Sequence, residues 1–98
     1  MSYISESKKM NFKQGERVKI LRTAETHENG WINDWSNDMD GAVGKIGTIV
    51  DPNPNVGTGV RVGVRGTLFD YNYPYFVLQR VKITNEERVR KRMEELNA

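Results

Sequence analysis

Read from the amino end, the chain changes its hydrophobic period several times. Residues 1–11 are polar, with Ser2, Ser5, Ser7 and the pair Lys8–Lys9, and are expected to form a flexible arm on which only Tyr3 and Ile4 could dock. A turn at Gln14–Gly15 introduces Arg17 to Arg22, where Val18 and Ile20 point one way and Arg17, Lys19 and Leu21 the other; this alternation predicts a half-buried strand. Lys45 to Val50 reads as a second strand, ended by Asp51-Pro52-Asn53-Pro54-Asn55. Gly59 to Arg65 alternates cleanly, with Val60, Val62 and Val64 inward and Arg61 and Arg65 outward. Gly66 marks a turn, Thr67 to Tyr71 reads as a fourth strand, and Asn72-Tyr73-Pro74-Tyr75 as a tight or 3₁₀ turn, because proline cannot donate to a ladder. Phe76-Val77-Leu78 then makes a short fifth strand. Thr84 and Glu87 have capping-box spacing, and Val89, Met93 and Leu96 form a narrow apolar stripe, so residues 84–98 are expected to be a helix.

Between the first two strands, Thr23 to Gly44 fits no regular period. It carries the turn-formers Asn29–Gly30, Asn33, Asn37 and Asp40–Gly41 together with Trp31, Ile32, Trp35 and Met39. Unstructured loops of this length are uncommon in small domains and are often functional. Trp31, Trp35 and Met39 are spaced i, i+4, i+8, which allows a short helical turn. Five short strands, a long loop after the first and a turn before the last describe a mainly β fold. The expectation is a five-stranded SH3-like barrel over residues 12–83, between the arm at 1–11 and the helix at 84–98.

Composition narrows the chemistry. The 98 residues, 37% apolar and 29% charged, suit one small globular domain. There is no cysteine and one histidine, His27, so disulfides, thiolate metal sites, a cysteine nucleophile and the common zinc sites are excluded. No apolar run approaches the roughly 18 residues of a membrane span, and the polar amino end does not resemble a secretory signal; a cytoplasmic protein is expected. Nothing assembles a nucleophile, a base and oxyanion donors, so the chain is read as non-catalytic and without a cofactor. Asp38–Gly41 has the start of a calcium-loop signature, but the twelfth position falls on Gly47 rather than glutamate, and no metal site is expected.

The net charge of +2 conceals strong segregation. Residues 1–23 hold six basic and two acidic side chains, residues 45–83 five and two, and residues 84–98 four and four. Residues 24–44 hold five acids (Glu25, Glu28, Asp34, Asp38 and Asp40) and no lysine or arginine. The long loop is therefore a local acidic field in a basic chain.

The segment Asp40-Gly41-Ala42-Val43-Gly44-Lys45-Ile46-Gly47-Thr48-Ile49 reads D-G-x-x-G-x-x-G-T-I, with Gly15-Glu16-Arg17-Val18 and the tryptophan pair upstream. Together these resemble SH3-like domains of the Mind bomb type, over about Gly15 to Val50. The end of the predicted barrel, Tyr71 to Leu78, looks more like small SH3-like proteins of phages and bacteria. The resemblance implies binding of an extended peptide. Independently of it, Gly41, Gly44 and Gly47 are explained by positive φ or close backbone approach.

Two surfaces are candidates. Trp31 and Trp35, with Asp34 and Asp38, suggest a site for a protein or peptide partner of basic character, one tryptophan packing and the other partly exposed. Tyr71, Tyr73 and Tyr75 would border it, with Tyr71 and Tyr75 alternatively pinning the turn against Phe69 and Phe76. The alternative is a single-stranded nucleic-acid accessory protein using Lys45, Arg61, Arg65 and Arg80, against which the acidic loop weighs by repelling phosphate. A third reading is a structural subunit of a larger assembly, tethered by the arm and the helix.

Overall fold

The structure is a computed structural model that describes residues 2–81. The helix expected at 84–98 lies outside the described residues. Five strands form one antiparallel sheet: β1 Arg17–Ile20, β2 Ile46–Asp51, β3 Val60–Gly63, β4 Tyr71–Tyr73 and β5 Leu78–Arg80, in the order β4-β3-β2-β1-β5. The protein is thus mainly β, with β4 and β5 at the two edges of an open sheet.

The alternation read in the sequence sets the two faces. Val18 and Ile20 of β1, Ile49 of β2, Val60 and Val62 of β3 and Leu78 of β5 are buried on the inner face, while Arg17, Lys19, Ile46, Thr48, Arg61 and Gln79 stand outward. Register follows: Arg17 lies opposite Thr48, Thr48 opposite Gly63, and Lys19 opposite both Ile46 and Gln79. Hydrogen bonds lengthen the β1–β2 pairing at both ends, from Gly15 N to Ile49 O (2.8 Å) and from Gly44 N to Ile20 O (2.7 Å). Gly47 sits where β2 passes tightly against β3: a Cβ there would lie 2.6 Å from the Gly63 carbonyl oxygen. Gly44 has a φ of +85°, whereas Gly41 meets neither condition.

Three elements differ from the expected ones. Residues Tyr3–Met10 form a helix, α1, in place of a flexible arm. Ser2 caps it by accepting from Ser5 N (3.2 Å), Asn11 closes it in the left-handed conformation, and Tyr3 docks almost completely buried at 5% exposure. Second, β4 begins at Tyr71 rather than Thr67, because Thr67 turns the chain back on itself: its hydroxyl proton is shared between the carbonyl oxygens of Val64 (2.9 Å) and Phe69 (3.0 Å). Third, the 3₁₀ turn is Tyr75–Val77, immediately after Pro74, so Asn72 and Tyr73 belong to β4 and the last strand starts at Leu78. Pro74, with φ fixed at −67°, lies just ahead of this turn and accepts from Val77 N (3.1 Å).

The long loop is organised by two 3₁₀ segments, Glu28–Gly30 and Asn37–Ala42. The second begins after Ser36, whose hydroxyl accepts from Asp38 N; the helical turn therefore starts downstream of both tryptophans instead of carrying them. Trp31, Met39 and Ala42 from this loop join the inner face of the sheet in a single core with Tyr73, Val77, Tyr3 and Phe12. The loop consequently covers the inner face.

Candidate interaction surface

Trp31 is 0% exposed, and its indole N–H donates to Thr58 O at 2.7 Å. Next to it, Ile32 N donates to Gly57 O at 2.8 Å, so the residue and its neighbour tie the long loop to the β2–β3 connection. Trp31 as a partner contact is therefore corrected: its ring fills the core, and a partner could reach it only by opening the loop. Trp35 is half-buried; its indole N–H donates to Asp40 Oδ1 at 2.7 Å, and its ring meets that of Tyr73 edge-on at 5.7 Å. One tryptophan packs and the other is partly open.

The tyrosines divide differently from the expected pattern. Tyr73, not Tyr71 or Tyr75, is the fully buried one: both β4 tyrosines face inward, but Tyr73 lies opposite Val60 under the Trp35 ring, whereas Tyr71 reaches out to Asp38. Its hydroxyl finds no protein partner among the described residues, and burial pushes its pKa up to about 12. Tyr71 is half-buried and donates to Asp38 Oδ2 at 2.6 Å; Leu68 N donates to the same oxygen at 2.7 Å. These two donors hold the Asp38 carboxyl below its ordinary value, the Tyr71 hydroxyl contributing most, and the same bond raises the pKa of Tyr71. Asp38 is thus a strut between the acidic loop and the β3–β4 turn, and Asp34 alone of the two stands exposed. Tyr75 lies elsewhere, between Tyr3 (ring centroids 5.1 Å apart) and Phe76 (5.4 Å), and its backbone N–H donates to Tyr3 Oη at 3.2 Å.

The Asp38 strut presents a pair of residues that sequence reading assigned to a strand. Leu68 and Phe69, at the tip of the β3–β4 turn, are 79% and 68% exposed. Phe69 does not pack into the core; it meets Tyr71 edge-on at 6.1 Å. The available signal was Gly66-Thr67 followed by two apolar residues and Asp70, which reads as a turn entering a strand unless the hydroxyl bonds of Thr67 are known. The structure therefore brings together Trp35, Asp38, Asp40, Tyr71 and Tyr73 with this tip, and leaves Trp31 and Tyr75 out of it.

The basic candidates also divide. Lys45 Nζ reaches the carbonyl oxygen of Arg65 at 3.5 Å, and Arg61 and Arg65 are exposed. Arg80 lies on β5, three strands away from β3, where it pairs with Glu16, bonds the Met10 carbonyl and stacks over Phe12 at 4.8 Å. It is corrected from binding residue to the group that fastens α1 to the sheet edge. Among the described residues no group of three or more histidine, aspartate or glutamate side chains is placed to hold a metal ion, and no helix is long and apolar enough to cross a membrane. Compared with protein-family models, with curated proteins and with solved structures, the chain matches none of them significantly. Its own geometry has to carry the functional argument.

Proposed function

We propose that this chain is a non-catalytic interaction module built on a small SH3-like barrel, and that it binds a protein partner through the Leu68–Phe69 tip and the acidic loop beside it. The barrel reading is supported by the sheet order, with β1 between β2 and β5, and by the long loop after β1 and the 3₁₀ turn before β5. One observation carries the functional reading: two adjacent large apolar side chains, 79% and 68% exposed, stand on a turn fixed by Asp38 and Thr67. Scattered surface apolar residues need no explanation, but an ordered pair on a strut is the anchor a partner pocket would use at low entropic cost. Asp34, Asp40 and Asp70 are exposed on the loop and on the tip. They favour a partner whose pocket is rimmed by lysine or arginine, and would speed its arrival more than they tighten the complex.

Several carboxylates have structural duties. Glu16 pairs with Arg80, Glu28 with Arg22 at 2.8 Å, and Asp40 accepts from Trp35. The test is a selection of random displayed peptides on the full chain, with subtraction on a Leu68→Ser/Phe69→Ser variant. Peptides with an apolar anchor flanked by basic residues, binding the parent and not the variant, are expected. Recovery of only peptides that bind both proteins equally would overturn the reading.

A further inference from the structure

The outer face of the sheet is not used by this reading. On it the charge segregation seen along the sequence becomes a segregation in space. The acidic loop covers the inner face, where Trp31, Met39 and Ala42 pack. Outward from β1 stand Arg17 and Lys19; outward from β3 and the turn beyond it stand Arg61 and Arg65. Lys45, opposite Ile20 in register, does not belong to this face. Arg17 and Lys19 are two residues apart on one strand, about 7 Å, and β1 and β3 are two strand spacings apart, about 10 Å. All four are exposed and make no ion pair among the described residues, in contrast to Arg22 and Arg80. Two carboxylates stand on the face itself: Asp51, the cross-strand partner of Arg61, whose Oδ1 accepts from Asn53 N at 3.0 Å, and Asp70, whose Oδ1 lies over Gly63 between Arg61 and Arg65.

We infer that this face docks the phosphate backbone of duplex nucleic acid, without reading its sequence. Unpaired guanidinium groups on a rigid sheet match phosphate oxygens as forks, and the occupant must supply a regular array of negative charge. Among the described residues the face offers no aromatic ring. The side chains between the cations are Ile46, Thr48 and Val50, and Tyr71 and Tyr73 turn inward. Single-strand binders gain affinity by stacking bases on aromatic side chains, so this face gives a single strand no such advantage, while a duplex presents the denser charge. Ile46 and Val50 are partly exposed aliphatic side chains, too few for membrane insertion.

The experiment is a fluorescence-anisotropy titration of the full chain on a labelled duplex and on one of its strands, at salt from about 50 to about 200 mM, the range over which phosphate contacts are lost. With four phosphate contacts the logarithm of affinity should fall against the logarithm of salt with a slope of about −3.6. The pair Arg61→Gln/Arg65→Gln, and separately Arg17→Gln/Lys19→Gln, should each reduce that slope by about 1.8 and weaken binding by about tenfold or more. Arg80→Gln and Leu68→Ser/Phe69→Ser should leave it unchanged, which separates this proposal from the protein-binding one. Four results would overturn it: no duplex binding at the lowest salt, undiminished binding by the variant that combines both pairs of substitutions, tighter binding to the single strand, or equal binding to polyglutamate or anionic vesicles. Because every substituted side chain is exposed, unchanged circular dichroism in the variants is expected and assigns the loss to the surface.

Discussion

Removing Trp31 separates a core role from a contact role more sharply than any other single change. The side chain is 0% exposed and holds the Thr58 carbonyl oxygen at 2.7 Å. Truncation of a buried tryptophan to alanine costs about 3–5 kcal/mol through lost burial and an unfilled cavity. Trp31→Phe keeps most of the ring but strands the Thr58 carbonyl, left with Asn33 Nδ2 at 3.5 Å; leaving a buried acceptor unpaired costs about 1–3 kcal/mol. A domain of this length has about 5–15 kcal/mol in total, so Trp31→Ala removes a fifth of it or more. In urea, with about 1–3 kcal/mol per M of denaturant, the midpoint should fall by at least about 1 M for alanine and by less for phenylalanine. Trp35→Phe, half-buried and with its indole N–H bonded to Asp40 on the exposed loop, should shift it least. In that Trp35→Phe background the remaining emission belongs to Trp31 and should be blue-shifted and shielded from acrylamide. An unchanged midpoint for Trp31→Ala, with Trp31 emission quenched as readily as free indole, would refute the packing argument.

Other outcomes follow from the same packing. Gly47→Ala puts a methyl 2.6 Å from the Gly63 carbonyl and against Val62 and Val64; overpacking of this kind costs about 1–3 kcal/mol, to be read as a lower urea midpoint. Tyr73→Phe removes a buried hydroxyl with no protein partner among the described residues, so its midpoint should stay level or rise, and absorbance titration at high pH should lose the tyrosine that ionises near 12. Because the pKa of Tyr73 is raised in the folded state, its contribution is complete below the ordinary tyrosine value and is lost as pH climbs toward 12, so the parent should weaken over that interval. Asp38 runs the other way. Its folded pKa is lowered, so the Tyr71 and Leu68 bonds stabilise fully above the ordinary aspartate range and fade as pH falls through the depressed value. The stability difference between the parent and Asp38→Asn should therefore be flat near neutrality and shrink in acid.

Much of the sheet was legible because alternation has one physical meaning on a strand with a buried face. Val18 and Ile20, then Val60, Val62 and Val64, are inward as their spacing requires. What alternation could not show was where side chains interrupt a strand. Thr67 and Asp38 bind backbone groups that a ladder would otherwise claim, and the apolar pair Leu68–Phe69 is turned outward instead of being paired. Composition likewise showed that the long loop was acidic and aromatic, but not which tryptophan it buried; that depends on the Thr58 carbonyl, 27 residues away. The helix at Tyr3–Met10 was hidden by polarity, since its stability rests on one buried tyrosine and its caps rather than on an apolar stripe.

The most direct test of the account is one binding titration, by calorimetry, of a peptide selected on the full chain against the parent, Leu68→Ser/Phe69→Ser and Trp31→Phe, each first shown to be folded. The account predicts that Trp31→Phe binds as the parent does, while the serine pair loses about tenfold or more of the affinity, in line with removal of a buried apolar anchor. Parent-like affinity in the serine pair with loss in Trp31→Phe would contradict it, and would return the interaction surface to the tryptophan loop.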